Sequence, residues 1–238
     1  MTKYEQSIAA EAEASPEREV CGILLSINGE IVARSCRNIS PVPHDGFYIN
    51  AKDYLPFLKD KTLVGYYHSH TVKNGRGAQP SEPDKRICEN IGLPCHIYSV
   101  HSKEFFVLVP SGYQMPLIGR SFCFGICDCY TLVEDYYKQT LNIEMPDVDR
   151  SIDNMINGLP SLMSYIKEAK CKIVDKPQEH DIVCMAVGSM TGQCNHVGIY
   201  LSDNRMLHQL RHKASEVVVY GGYWQKHNLH YVRHESKI

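Results

Sequence analysis

The chain has 238 residues, of which 43% are hydrophobic and 22% charged, an ordinary globular balance long enough for one large domain or two small ones. Its formal net charge of −2 leaves no basic footprint for nucleic acid or an anionic lipid surface, and no apolar run reaches bilayer-spanning length. The opening MTKYEQSIAAEAEAS is acidic and helical rather than signal-like, so the expectation is a cytoplasmic start, no nucleic-acid partner and no membrane insertion.

In chain order, residues 2–13 predict a helix capped by Thr2 and ended by Ser15-Pro16. CGILLSINGEIVARSC then alternates around Asn28-Gly29, the signature of a hairpin. TLVGYY predicts a strand running directly into His68 and His70. Ser81 precedes EPDKRICENIG, a predicted helix with Pro83 in its first turn and Gly92 past its end. HIYSV and KEFFVLVP read as strands. VPSGYQMPLIG, residues 109–119, holds two prolines and two glycines without periodicity and marks a linker.

Beyond the linker, DCYTLVEDYYKQTL predicts a helix and residues 151–170 look helical in pieces. DIVCMAV, HVGIYLS, RMLHQL and EVVVY predict strands, with a turn at Asp203-Asn204. Each half mixes helices with several strands and nothing repeats internally. The expectation is an α+β protein of two domains, residues 1–112 and 113–238. Ten cysteines would suggest disulfides in a secreted chain, but without an export signal Cys21, Cys36, Cys95 and Cys184 read as small buried hydrophobes.

The stretch YYHSHTVKNGRGAQPSEPD concentrates metal-binding chemistry. Residues i and i+2 of a strand share a face, so His68 and His70 can reach one ion, and Asp84 returns a carboxylate from the start of the next helix. Three protein ligands leave a fourth position for water, which becomes a nucleophile near neutral pH if a base takes its proton. Glu19, just before Cys21-Gly22, is the candidate base. Two surface histidines at a strand end are the plainer reading of His-Ser-His alone. Together, PEREVCGIL, YYHSH and PSEPD resemble the JAMM (MPN-plus) metallopeptidase family, with its Glu, His-x-His and Ser-x-x-Asp pattern. The resemblance implies an α/β/α fold with Zn2+ on His68, His70 and Asp84, Glu19 as general acid/base, and Ser81 as an oxyanion stabiliser. One departure is the spacing: thirteen residues separate His70 from Asp84 where the family usually has ten. The extra residues fall in the polar TVKNGRGAQ loop, where length costs little.

In the second half, CDCYTLVEDYY puts Cys129 at a predicted helix N-terminus, where the dipole and free N–H groups favour the thiolate. Leu132, Val133 and Tyr136 follow at i+3, i+4 and i+7, so the cysteine lies on the inward face. His196 is the candidate base, and His208, across the predicted hairpin, is placed to orient its ring. A buried structural cysteine is the plainer alternative. A metal or redox cluster of Cys123, Cys127 and Cys129 is another, although C-x3-C-x-C matches neither a zinc knuckle nor a redox C-x-x-C. DCYTLV followed by NHVGIY and LH resembles the NlpC-type cysteine peptidases. That implies a papain-like fold, a catalytic set of Cys129, His196 and His208, and cleavage of peptidoglycan stem peptides, commonly between D-glutamate and diaminopimelate. Asp128 then reads as a helix cap.

A JAMM-like domain followed by an NlpC-type domain, with GRSFCFGICDCYTLVEDYY at the junction, resembles a family of tail-tip proteins of lambda-like siphophages over nearly the entire chain. The resemblance implies other tail-tip proteins as partners and residence in the host cytoplasm during assembly, with the virion tail tip as a further place. A non-enzymatic scaffold using both folds as binding modules stays open. So does a ubiquitin-like deconjugase, from the first half alone.

Overall fold

The computed structural model describes residues 1–73, 75–146 and 162–237. The chain divides into two units, Met1–Gln114 and Met115–Ile238. The division falls inside the Pro/Gly-rich stretch 109–119. Both units combine helices with a sheet, so the class is α+β.

In the first unit, α1 (Lys3–Ala14) opens on a capping box in which the Thr2 and Glu5 side chains exchange bonds with each other's backbone N–H. β1 (Cys21–Ile27) and β2 (Glu30–Cys36) form the expected hairpin, with Asn28 and Gly29 both at positive φ as a type I′ turn requires. α2 (Ala51–Lys59) escaped sequence reading because Pro56 sits inside it and none of its residues is buried, so no apolar stripe announces it. β3 (Leu63–His70) is central and carries both histidines at its end, buried. α3 (Glu82–Ile91) crosses over to β4 (Cys95–Ser99), which runs parallel to β3, and β5 (Glu104–Leu108) closes the far edge.

The sheet order is β2-β1-β3-β4-β5. One face packs Leu24, Tyr67, Tyr98 and Val100 under Ile8, Ala9 and Ala12 of α1. The other packs Tyr66, Cys95 and Ile97 with Ile87 of α3 and Phe47. The result is the α/β/α layering implied by the JAMM resemblance. Cys21 and Cys95 are fully buried, but Cys36 is only half-buried, because it ends β2, the edge strand of the sheet.

In the second unit, α4 (Cys129–Tyr136) continues into a π-helical turn, Tyr137–Leu141, closed by Asn142 at positive φ. Of the expected helical pieces in 151–170, residues 151–161 lie outside the described residues and α5 covers Leu162–Glu168. β6 (Cys171–Val174), β7 (Ile182–Met185), β8 (His196–Leu201), β9 (Arg205–His208), β10 (Glu216–Val219), the short α6 (Tyr223–Lys226) and β11 (Asn228–His234) complete it. The sheet order is β10-β9-β8-β7-β11-β6, and every pairing is antiparallel. β6, β11, α2 and α6 were not legible in the sequence. β11, NLHYVRH, is so rich in polar rings that its alternation has little hydrophobic contrast.

The main core of this unit joins Tyr130, Leu132, Val133 and Tyr136 of α4 to Ile182, Val197, Ile199 and Leu207 of the sheet. α4 therefore lies on β8. Arg120, whose side chain is fully buried, is bonded on every side. Its Nη1 donates to Asp135 Oδ2 at 2.6 Å, Nε to the Pro116 carbonyl at 2.8 Å and Nη2 to the Met115 carbonyl at 3.2 Å. Its own carbonyl accepts from Ser215 N and Gln209 Nε2. It thus ties the incoming chain to the helix of Cys129 and to the residue after His208.

Candidate functional sites

In the first unit, β3 and α3 deliver the donors. His68 and His70 project to one face because they are two apart on a strand. Asp84 is the third residue of α3, where Ser81 is the N-cap: Ser81 Oγ accepts from Asp84 N, and Asp84 Oδ2 accepts from Ser81 N at 2.7 Å and from Ser81 Oγ at 2.6 Å. His68 Nε2 stands 3.4 Å from His70 Nε2 and 3.3 Å from Asp84 Oδ1, and His70 Nε2 stands 3.6 Å from Asp84 Oδ2. A tetrahedral ion with ligand bonds of about 2.0–2.1 Å holds its ligand atoms about 3.3–3.4 Å apart. The donor set therefore fits a divalent metal, and among the described residues it is the one such cluster.

The electrostatics agree with that use. Burial would raise the Asp84 carboxyl, but His68, the neighbouring His70 ring and the hydrogen bonds from Ser81 outweigh it, and the group stays well below the ordinary carboxylate range. Burial pushes His68 down to about 4, so its ring is neutral and able to ligate. His70 Nδ1 lies 2.7 Å from the Gly77 carbonyl, which can only accept, so the proton sits on Nδ1 and Nε2 keeps its lone pair. The inserted loop thus supplies this carbonyl.

Glu19 lies outside the ligand cluster, on the segment leading into β1. That segment is held to β3: Val20 N donates to Ser69 Oγ at 2.9 Å and Ser69 N to the Val20 carbonyl. Burial, then the like charge of Asp84, raises the Glu19 carboxyl to about 9. The segment is fixed by a residue that sequence reading missed, Asn38, whose buried amide donates to the Glu19 and Gly46 carbonyls. Phe47, also missed, stacks on His68 at 4.5 Å between ring centroids. Nothing in the linear spacing points to either. The resemblance gave Ser81 an oxyanion role. In this structure its hydroxyl donates to the Asp84 carboxylate at 2.6 Å and caps α3.

In the second unit Cys129 is the first residue of α4, half-buried against the core. Asp128 is the N-cap: Oδ1 accepts from Tyr130 N at 3.0 Å and Thr131 N at 3.1 Å, and Oδ2 accepts from Gly125 N at 2.8 Å. Cys123 and Cys127 exchange backbone bonds across a tight turn just before it, and among the described residues the one potential metal-binding cluster does not include them.

His196 opens β8 and His208 ends β9, and the hairpin register brings the rings together, with His196 Nε2 at 3.1 Å from His208 Nδ1. Nε2 is therefore occupied, and Nδ1 is the His196 nitrogen left to exchange a proton with a nucleophile. Burial, reinforced by His208, lowers His196 to about 3. Burial also lowers His208 to about 4, against the pull of Glu216. Both rings are neutral near pH 7, and neutral His208 can accept from His196 Nε2–H. Asp128, the remaining influence on His196, favours its charged form. Trp224, the sole tryptophan, packs edge-on to His208 with ring centroids 4.4 Å apart and shields the pair.

The glycines beside both motifs have a steric reason. A Cβ on Gly22 would lie 2.5 Å from the Tyr67 ring and closer still to the Arg34 carbonyl. One on Gly198 would meet Met206 Sδ at 2.9 Å and the Leu207 carbonyl at 3.0 Å.

Comparison with known proteins gives the same two halves. Residues 1–110 match prokaryotic homologs of the JAB domain, and residues 119–233 match the NlpC/P60 family. The chain is 34% identical to the tail tip assembly protein K of Escherichia phage N15, over 97% of this chain and 93% of that protein. It is 29% identical to the tail tip assembly protein K of Escherichia phage lambda, over 79% of this chain and 90% of that one. A solved NlpC/P60 family protein from Bacillus cereus ATCC 10987 aligns at 14% identity with a TM-score of 0.35, covering 97% of this chain and 67% of that chain. With a JAB-type domain, an NlpC/P60 domain and end-to-end similarity in that order, the chain belongs to the tail tip assembly protein K family.

Proposed function

We propose that the protein is a phage tail tip assembly factor whose second unit is a cysteine endopeptidase for peptidoglycan stem peptides, with the D-glutamyl-diaminopimelate bond as substrate. The observation carrying the reading is a cysteine on the first turn of a helix that lies on β8, whose first residue, His196, is bonded at 3.1 Å to His208. The Cys129 thiol gives its proton to His196 Nδ1, and the helix N-terminus steadies the thiolate. The sulfur adds to the peptide carbonyl, and His196 returns the proton to the departing amine. Water then hydrolyses the thioester. His208 accepts from His196 Nε2–H throughout and keeps the ring in the productive tautomer.

In the first unit His68, His70 and Asp84 would hold a zinc ion, with Glu19 carrying the proton at its carboxyl and Ser81 holding Asp84. When bound, the ion supplies an acidified water and an electrophile for a peptide or isopeptide carbonyl. Membership of the tail tip assembly protein K family supports other tail-tip proteins as partners, the host cytoplasm as the place of assembly and the virion tail tip as a further location.

Digestion of diaminopimelate-type sacculi tests the reading, using the intact chain and Cys129→Ala with released muropeptides identified by mass. Stem fragments cut after D-glutamate, released by the wild type and lost in the variant, are the expected result. No release from folded, reduced protein would favour the alternative of a non-enzymatic scaffold.

A further inference from the structure

The far ring nitrogen of a ligating imidazole selects the tautomer, and with it whether the near nitrogen has a lone pair to offer. For His70 that partner is the Gly77 carbonyl oxygen. For His68 it is a sulfur: Cys95 Sγ lies 3.5 Å from His68 Nδ1. Cys95 is fully buried, on the strand parallel to β3, where it is the register partner of Tyr66, two residues before His68.

We propose that Cys95 is a positioning residue of the metal centre, its sulfur accepting the His68 Nδ1–H so that the Nε2 lone pair faces the ion. The inference rests on the metal-site reading above. A thiol can act in either direction here. If its S–H donated to Nδ1, the ring proton would move to Nε2, which lies 3.3 Å from Asp84 Oδ1, and His68 could not ligate. Binding a cation through Nε2 requires the other arrangement, with Nδ1–H toward sulfur. Phe47 stacks on the ring face and Ile97 packs beside it, while the sulfur lies at Nδ1 as the acceptor. Losing it strands a buried N–H donor in the ligating state.

The test uses the full-length chain as wild type, Cys95→Val and Cys95→Ser, with zinc affinity measured by competition against a fluorescent chelator. In parallel, nitrogen-15 NMR of the metal-free proteins reads the His68 tautomer. Loss of a partner at this position typically weakens metal binding about 10–100-fold. The wild type should bind one zinc, Cys95→Val should bind weaker by that factor with its Nδ1–H population reduced, and Cys95→Ser should regain most of both. A packing role would not be rescued by a smaller polar side chain. Zinc binding by Cys95→Val equal to wild type, or by Cys95→Ser as poor as Cys95→Val, overturns the inference. Cys95→Ala replaces the valine variant if valine cannot pack. Wild type that binds no zinc overturns the metal-site reading itself, a result distinct from any difference among the variants.

Discussion

Replacing Asp128 separates the two things its carboxylate does. Oδ1 caps α4 through two backbone N–H groups, and Oδ2 holds Gly125 N, while the charge acts on His196. Removing the side chain in Asp128→Ala loses an N-cap, worth about 1 kcal/mol and up to about 2. It also removes this partner from the half-buried Gly125 N–H, at about 1–2 kcal/mol. The expected destabilisation is therefore about 2–4 kcal/mol. Asp128→Asn keeps an oxygen for the cap and loses the Gly125 bond and the charge, for about 1–2 kcal/mol. Urea unfolding followed by Trp224 fluorescence measures this directly, because the only tryptophan lies in the same unit. Sacculus cleavage should fall in both variants, and in Asp128→Asn through lost support for the His196 imidazolium rather than through unfolding. An Asp128→Ala protein within about 0.5 kcal/mol of wild type would refute the capping argument. Equal losses in the two variants would assign the stabilisation to the Gly125 bond and the charge, which both variants lose, and not to the cap.

The pH dependence has a definite sign. His196 and His208 are depressed to about 3 and about 4, so the unfolded chain binds more protons below its own value of about 6.5. The stability they contribute is fully present above about pH 6.5 and is lost as pH falls through the folded values, each group adding a slope of at most about 1.4 kcal/mol per pH unit. In EDTA, the Trp224 unfolding transition of His196→Phe should show a shallower slope between pH 6 and 4, and an unchanged slope would count against the burial argument. Gly22→Ala should destabilise the first unit by more than about 2 kcal/mol, because the Arg34 carbonyl and the Tyr67 ring leave no room in a paired strand. A thermal melt within 2 °C of wild type would contradict it. Zinc at 100 times its dissociation constant should stabilise the first unit by about 2.7 kcal/mol, and the gain should vanish in His70→Ala. A gain that survives His70→Ala would place the ion elsewhere.

Much of the two sites was legible from local chemistry. The spacing of His68 and His70 on a strand, Ser81 and Asp84 at a helix start, and Cys129 behind a capping aspartate are all consequences of short-range geometry. The elements bearing them followed from the same signals: Asn28-Gly29 for the hairpin, Gly92 for the end of α3, and Asp203-Asn204 for the turn between β8 and β9. α2 and β11 were not legible, the first for want of a buried face and the second for want of hydrophobic contrast.

The sequence by itself determined the class, the order of the two kinds of unit and the residue types each centre has available, because caps, turns and strand periodicity act over a few residues. Only the tertiary structure decided which partners those residues meet. The register of β8 against β9 sets His196 on His208. The parallel pairing of β3 with β4 sets Cys95 behind His68, and the loop after β3 sets the Gly77 carbonyl behind His70. These contacts join residues whose spacing carries no pattern, and they exist because the backbone must satisfy its hydrogen bonds across strands while the side chains fill one core.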